Sequence, residues 1–112
     1  MEINEVNESK ALKVGLLNNF EIEKEVNDDH QIELIVKALS SKTRRQILQK
    51  LRESPLDVSN LAEHLDMTEA NISAQIKKLQ KAGLIDCTYK SGKHGVRKLS
   101  LLKFNQILIN FT

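Results

Sequence analysis

Between Asp28 and Gly83 apolar residues recur at helical spacing in four separate runs, and after Gly83 the period shortens to two. Ile32, Ile35, Val36 and Leu39 fall at i, i+3, i+4 and i+7, which predicts a first helix opening on the acids Asp28 and Asp29. Ser40-Ser41 interrupts it, and Ser41 is placed to cap a second helix through Arg52 with Ile47, Leu48 and Leu51 inward; Pro55, the single proline, closes that run. Asp57 has the side chain of a helix cap, and Leu61, Ala62 and Leu65 give the short helix after it one apolar face. Asp66 and Met67 break the pattern and Thr68 caps again. Ile72, Ile76 and Leu79 then define a helix over 68–82 that Gly83 stops. Beyond it Ile85, Cys87 and Tyr89 alternate with Asp86 and Thr88, as in a half-buried strand. Ser91 to Gly95 reads as a turn with two glycines, and Val96, Leu99 and Leu101 as the return strand, so 85–101 is predicted to be a β-hairpin.

The two ends are less determined. Ile3, Val6, Leu12, Val14, Leu16, Leu17, Phe20 and Ile22 hold neither period for long, and Asn4, Asn7, Asn18, Asn19 and Asn27 punctuate them. A docking arm, a dimerisation helix and a mobile leader all fit; the expectation adopted is an acidic leader over 1–28, partly disordered, with its Leu12-to-Phe20 portion packed on something. The core is then expected to owe its apolar pattern to residues after Asp28. At the other end Phe104, Ile107, Leu108 and Phe111 give a short helix one apolar side, while Ile107-Leu108-Ile109 equally suits a strand. The expected organisation is a leader over 1–28, a domain over 29–101 that is mainly α with a β-hairpin (α+β), and a short segment over 102–112.

Composition sharpens this. A chain of 112 residues without Trp has room for one modest core built from Leu, Ile and Val. Its formal charge of +2 hides a split: residues 1–30 carry eight acids against three bases, and residues 31–112 seven acids against fourteen bases. A basic body suits a polyanionic partner, because a phosphate-binding surface needs clustered cations. The lone Cys87 excludes an intrachain disulfide and a cysteine-rich zinc site. The start lacks the cationic and apolar regions of a signal peptide, and no apolar run approaches bilayer length, so a cytoplasmic protein without membrane contact is expected, nucleoid-associated or, if viral, in the host cytoplasm.

The helix over 68–82 carries the candidate chemistry. Opposite its apolar stripe lie Ala70, Asn71, Ser73, Ala74, Lys77, Lys78 and Lys81, small and amide-bearing first and cationic later. Short side chains let a backbone approach base edges, amides and hydroxyls pair with them, and lysines take phosphate. Asn71, Ser73 and Gln75 are therefore the expected base readers, Gln75 lying nearest the buried stripe. Lys77, Lys78 and Lys81 are expected on phosphates, with Arg44 and Arg45 of the second helix as further phosphate contacts. The hairpin adds Lys90, Lys93, His94, Arg97 and Lys98 as cations for an adjacent groove or backbone. His30, His64 and His94 fall in separate elements with no nucleophile beside them, and Gly92-Lys93 lacks the remaining residues of a phosphate-binding loop, so no enzyme, catalytic residue, cofactor or metal site is expected.

This order of elements is that of a winged helix-turn-helix, and the wording of the sequence resembles ArsR-like regulators, with MarR-like groups related. The resemblance rests on Lys37-Ala38-Leu39-Ser40-Ser41-Lys42-Thr43-Arg44-Arg45-Gln46-Ile47-Leu48, on Leu61-Ala62-Glu63-His64-Leu65, on Ile72-Ser73, and on Leu79-Gln80-Lys81-Ala82-Gly83-Leu84-Ile85, the exit into the wing. It covers roughly residues 30–101 and implies a sequence-specific regulator binding double-stranded DNA, as a homodimer or not. Three departures matter. Where metal-sensing members carry Cys-Val-Cys, this chain has Asp57-Val58-Ser59, which removes the thiolates a soft metal needs. The family's serine-x-histidine appears as Ser73-Ala74-Gln75, and no long helix follows the wing, which leaves family-style dimerisation open. Compactness resembles the small archaeal or archaeal-virus type. The competing expectation is a winged-helix adaptor for protein–protein contact without DNA readout; such modules often lose the basic wing and lysine face retained here.

Overall fold

A computed structural model describes residues 12–111, which form two units, one from the chain up to Glu33 together with the stretch from Phe104 on, the other Leu34–Lys103. Ile3 and Val6 lie outside the described residues.

Four helices and a hairpin follow the sequence pattern closely. Helix α1 (Asp29–Leu39) is capped by Asp28, whose carboxylate accepts the Gln31 N–H at 2.9 Å. Its inner stripe is Ile32, Ile35 and Ala38, all buried, while Val36 is 49% exposed, a correction to the expected stripe. Ser41 caps α2 (Lys42–Leu51), which buries Ile47 and Leu51. Asp57 caps α3 (Val58–Leu65) by accepting the Asn60 N–H at 2.7 Å, and α3 buries Leu61 and Ala62. The α3–α4 turn passes through Asp66 in the left-handed region (φ 54°), where the Met67 N–H reaches the Ala62 carbonyl at 2.9 Å.

Thr68 caps α4 (Glu69–Lys81), which buries Ile72, Ile76 and Leu79. Gly83 (φ 79°) ends it as expected: the Leu84 N–H returns to the Leu79 carbonyl at 3.1 Å and the Gly83 N–H to the Gln80 carbonyl at 2.9 Å. That reversal aims the chain into the antiparallel pair β3 (Ile85–Gly92) and β4 (Gly95–Leu102). The strands run longer than the pattern suggested, so only Lys93 and His94 form the turn, with Gly95 at φ 105°. The register puts Cys87 opposite Ser100, which is buried and exchanges two backbone hydrogen bonds with Leu56 (2.8 and 3.1 Å).

The other unit departs from the expected leader. Residues 13–26 are a β-hairpin, β1 (Lys13–Asn18) and β2 (Glu21–Val26), and β5 (Gln106–Asn110) pairs with β1 to give the antiparallel order β2-β1-β5. Val14, Leu16, Leu17 and Val26 are buried, so the apolar core is not confined to residues after Asp28. The sheet also settles the open choice at the C-terminal end in favour of a strand. Asn19 and Phe20 both have positive φ (52° and 69°), the geometry of a two-residue hairpin turn. Side chains of β5 and its approach hold that turn: Asn105 Oδ1 accepts the Asn19 N–H at 3.1 Å and Gln106 Oε1 accepts the Phe20 N–H at 2.7 Å. Of the punctuating asparagines, Asn18 ends β1 and Asn19 opens this turn, while Asn4 and Asn7 lie outside the described residues. A shift in pairing between Leu16 and Leu17 explains why no clean alternation showed there.

Candidate nucleic-acid interface

Successive residues of a helix are rotated by about 100°, so the outward ridge of α4 opposite Ile72, Ile76 and Leu79 consists of Ala70, Ala74, Lys77 and Lys81. All four are exposed. Two methyl groups thus occupy the middle of the outer face, with ammonium groups following toward the C-terminal end, where they also complement the helix dipole.

The three expected readers do not share one flank. Asn71 and Gln75 lie about 40° apart on one side, whereas Ser73 lies about 160° from Asn71 on the other. Asn71 Oδ1 accepts from Gln75 Nε2 at 3.0 Å, and Gln75 Oε1 accepts from Arg44 Nη1 at 2.7 Å. Arg44 is itself fixed by two carbonyls at the end of α1, Nε donating to Ala38 at 2.8 Å and Nη2 to Lys37 at 2.8 Å. Arg45 donates from Nη1 to the Leu39 carbonyl at 2.7 Å. Both arginines, expected on phosphates, therefore satisfy the orphan carbonyls of a helix end. Gln75, expected at a base edge, is the middle of a chain running from α1 through Arg44 to Asn71. Its amide oxygen and one amide hydrogen are engaged, and Asn71, which is exposed, donates onward from Nδ2 to Met67 Sδ at 3.7 Å.

On the opposite flank Ser73 lines a groove of about 280 Å³ with Asp57, Ser59, Lys77, Gln80 and Lys98. The groove joins the α3 N-terminus, α4 and the wing. Lys78 and Lys81 border a second hollow of about 390 Å³ with Leu34, Lys37, Ala38 and Arg44, so the lysines of α4 reach both sides of the helix.

The wing divides by register. Lys90 sits opposite Arg97 and Tyr89 opposite Lys98, while Lys93 and His94 form the tip. Lys90, Lys93, His94 and Lys98 are exposed. Arg97 is committed elsewhere. Its Nη2 and Nε donate to Asp57 Oδ2 at 2.7 and 3.0 Å, and Nη2 also donates to Asn60 Oδ1 at 2.9 Å. Partial burial pushes the Asp57 carboxyl up, but the Asn60 N–H and the hydrogen bonds and charge of Arg97 outweigh it, holding the group below its usual 3.8. The residue standing where metal-sensing relatives carry a thiolate is thus at once the cap of α3 and the anchor of the wing. Ser59, in the second such position, donates from its hydroxyl to Glu69 at 3.1 Å and links the starts of α3 and α4. Sequence spacing gave no sign of either link.

Cys87 is half-buried and accepts from Gln80 Nε2 at 2.9 Å. His30, His64 and His94 are all exposed and belong to separate elements. Among the described residues no helix is long and apolar enough to cross a membrane.

Four capped helices, a left-handed α3–α4 turn and a two-stranded wing leaving the last helix define a winged helix-turn-helix protein. Residues 41–86 match the family described as bacterial regulatory protein, arsR family. The chain is similar to an ArsR family transcriptional regulator, RHA00566 (33% identity, 65% of this chain and 76% of that one, TM-score 0.55). It is similar also to a homodimeric winged helix-turn-helix DNA-binding domain, Mb0332 from Mycobacterium bovis (26% identity, 65% and 64% of the two chains, TM-score 0.58). Among curated proteins it resembles the HTH-type transcriptional regulator NmtR of Mycobacterium tuberculosis, 36% identical over 55 residues; that match spans 49% of this chain and 46% of the relative, about half its length. The chain belongs to the ArsR family of regulatory proteins.

Proposed function

We propose that the protein is a sequence-specific regulator of transcription that binds double-stranded DNA with α4 in the major groove. The observation that carries this reading is the outer ridge of α4, where Ala70 and Ala74 allow close approach and lysines follow on both flanks. In this reading the two alanine methyls meet thymine methyls at the groove floor. Asn71 reads a base edge, held in place by Gln75 and Arg44, and Ser73 reads from the other flank. Lys77, Lys78 and Lys81 take backbone phosphates, and Lys90, Lys93, His94 and Lys98 bring the wing to the flanking groove or backbone. Arg97 acts by fixing the wing to α3, and Arg44 by fixing α4 to α1.

Such a protein acts at the nucleoid, in the cytoplasm. The relatives are bacterial, so the archaeal or archaeal-virus type suggested by compactness is set aside. Selecting bound sequences from a random duplex pool tests the proposal. Enrichment of a defined motif, weakened by Asn71→Ala by about 1–3 kcal/mol on that motif and little on random duplex, is the expected result. Absence of binding at low salt would favour a protein–protein adaptor.

A further inference from the structure

Among the described residues the sheet order β2-β1-β5 leaves two edges, and an edge strand presents a row of unpaired backbone N–H and carbonyl groups. The two edges differ in chemistry. β2 reads Glu21-Ile22-Glu23-Lys24-Glu25-Val26, four charges in six residues, and its pairing with β1 is irregular at Leu16/Leu17. Charges and bulges are how a sheet edge resists adding another strand. β5 reads Gln106-Ile107-Leu108-Ile109-Asn110, with no charge, glycine or proline, and its five-residue pairing with β1 is regular. Leu108 is 46% exposed and Ile109 40%, and because they are consecutive in a strand they point to opposite faces of the sheet. An apolar edge exposed on both faces is a template for strand addition.

We infer that β5 is a homodimerisation edge, on which a second copy of this chain adds its own β5 antiparallel about a two-fold axis at Leu108. The sequence of the strand selects that occupant. Polarity along Gln-Ile-Leu-Ile-Asn is the same read in either direction. In the register centred on Leu108, each Gln106 faces the other copy's Asn110, each Ile107 faces Ile109, and Leu108 faces its counterpart. Amide meets amide and aliphatic meets aliphatic at every position, as stable cross-strand pairs require. The assembly is isologous and therefore closed. It joins two three-stranded sheets into one of six strands whose outer edges are both β2, where glutamates of an incoming copy would face glutamates. Growth stops at two. Pairing through β2 instead would set the acidic edge against itself. The inference stands independently of DNA binding.

The test is a charge exchange at the axis, read by sedimentation of the full chain over a concentration series without DNA. Wild-type protein is expected to dimerise. Leu108→Lys and Leu108→Glu each place like charges directly opposite across the axis and should weaken association by about tenfold or more. An equimolar mixture should restore it as a heterodimer. Circular dichroism and the unfolding midpoint of each variant, measured where it is monomeric, report whether it remains folded. A folded Leu108→Lys variant that dimerises as the wild type does, a mixture that stays monomeric, or a wild-type chain that is monomeric throughout the series would overturn the inference.

Discussion

Removing the Asp57 carboxylate should destabilise the protein through two effects that different substitutions separate. Asp57→Ala deletes the cap of α3, a loss of about 1 kcal/mol. It also breaks the pair with Arg97, whose side chains are 53% and 21% exposed, so solvent screening limits that pair to about 0.5 kcal/mol. The sum, about 1.5 kcal/mol, corresponds to a fall in midpoint of roughly 7 °C for a chain of this size. Asp57→Asn keeps an equally good cap and loses only the charge, so it should cost about 0.5 kcal/mol, as should Arg97→Ala. In the double variant the Asp57→Ala and Arg97→Ala losses should fall short of additivity by about the value of the pair. Urea unfolding followed by circular dichroism at neutral pH measures all four. Because the folded-state carboxyl is held below its usual 3.8, the stabilisation is fully present above that value and disappears as pH falls through the lower folded-state value. The gap between wild type and Arg97→Ala should therefore stay constant from neutral pH down to about pH 5 and close only in stronger acid. If Asp57→Asn fell as far as Asp57→Ala, the carboxylate charge and not the cap would govern the site, and the division argued here would be wrong.

Three further outcomes are expected. Gly95→Ala, at φ 105°, should cost about 1 kcal/mol or more, whereas Gly92→Ala, whose added Cβ meets only the Gly95 carbonyl oxygen at 3.8 Å, should be milder; thermal unfolding of the pair checks this. Arg44→Ala should lower stability by about 1 kcal/mol and relax the sequence preference of DNA binding, because it takes the donor from the Ala38 carbonyl, while the Lys37 carbonyl keeps Ser40, and releases Gln75 from its partner; competition between preferred and random duplex reads the second effect. Deleting residues 1–27 should remove the three-stranded sheet, since it takes away β1 and β2 with the buried Val14, Leu16, Leu17 and Val26 and leaves β5 without its partner; far-UV circular dichroism should lose strand signal, where removal of a mere leader would leave it unchanged.

Local signals were legible in the sequence and distant partnerships were not. Asp57, Thr68 and Gly83 mark their helix ends by chemistry that acts within a few residues, and the structure uses each as expected. The stripe Ile72, Ile76, Leu79 fixed the outer face of α4 and with it the candidate interface. The N-terminal hairpin escaped notice because Gly15 and the irregular pairing at Leu16/Leu17 spoil the alternation, and because Asn18-Asn19-Phe20 lacks the glycine that usually announces a two-residue turn. Its support comes from Asn105 and Gln106, 86 residues away. Arg44 and Arg97 looked like free cations for the same reason. Their partners Gln75 and Asp57 lie 31 and 40 residues distant, and nothing local distinguishes a cation bound to carbonyls or a carboxylate from one awaiting phosphate. The sequence reading therefore counted as free for DNA several side chains, Arg44, Arg45 and Arg97 among them, that the fold engages elsewhere.

The measurement that tests the central claim most directly is the salt dependence of duplex binding. With Lys77, Lys78, Lys81, Lys90, Lys93 and Lys98 on phosphates, log affinity for a labelled duplex should fall against log salt with a slope near −5. Alanine at Lys93 and Lys98 together should flatten that slope by about 2, while Arg97→Ala should change it little. A slope near zero, or no binding at low salt, would contradict the account.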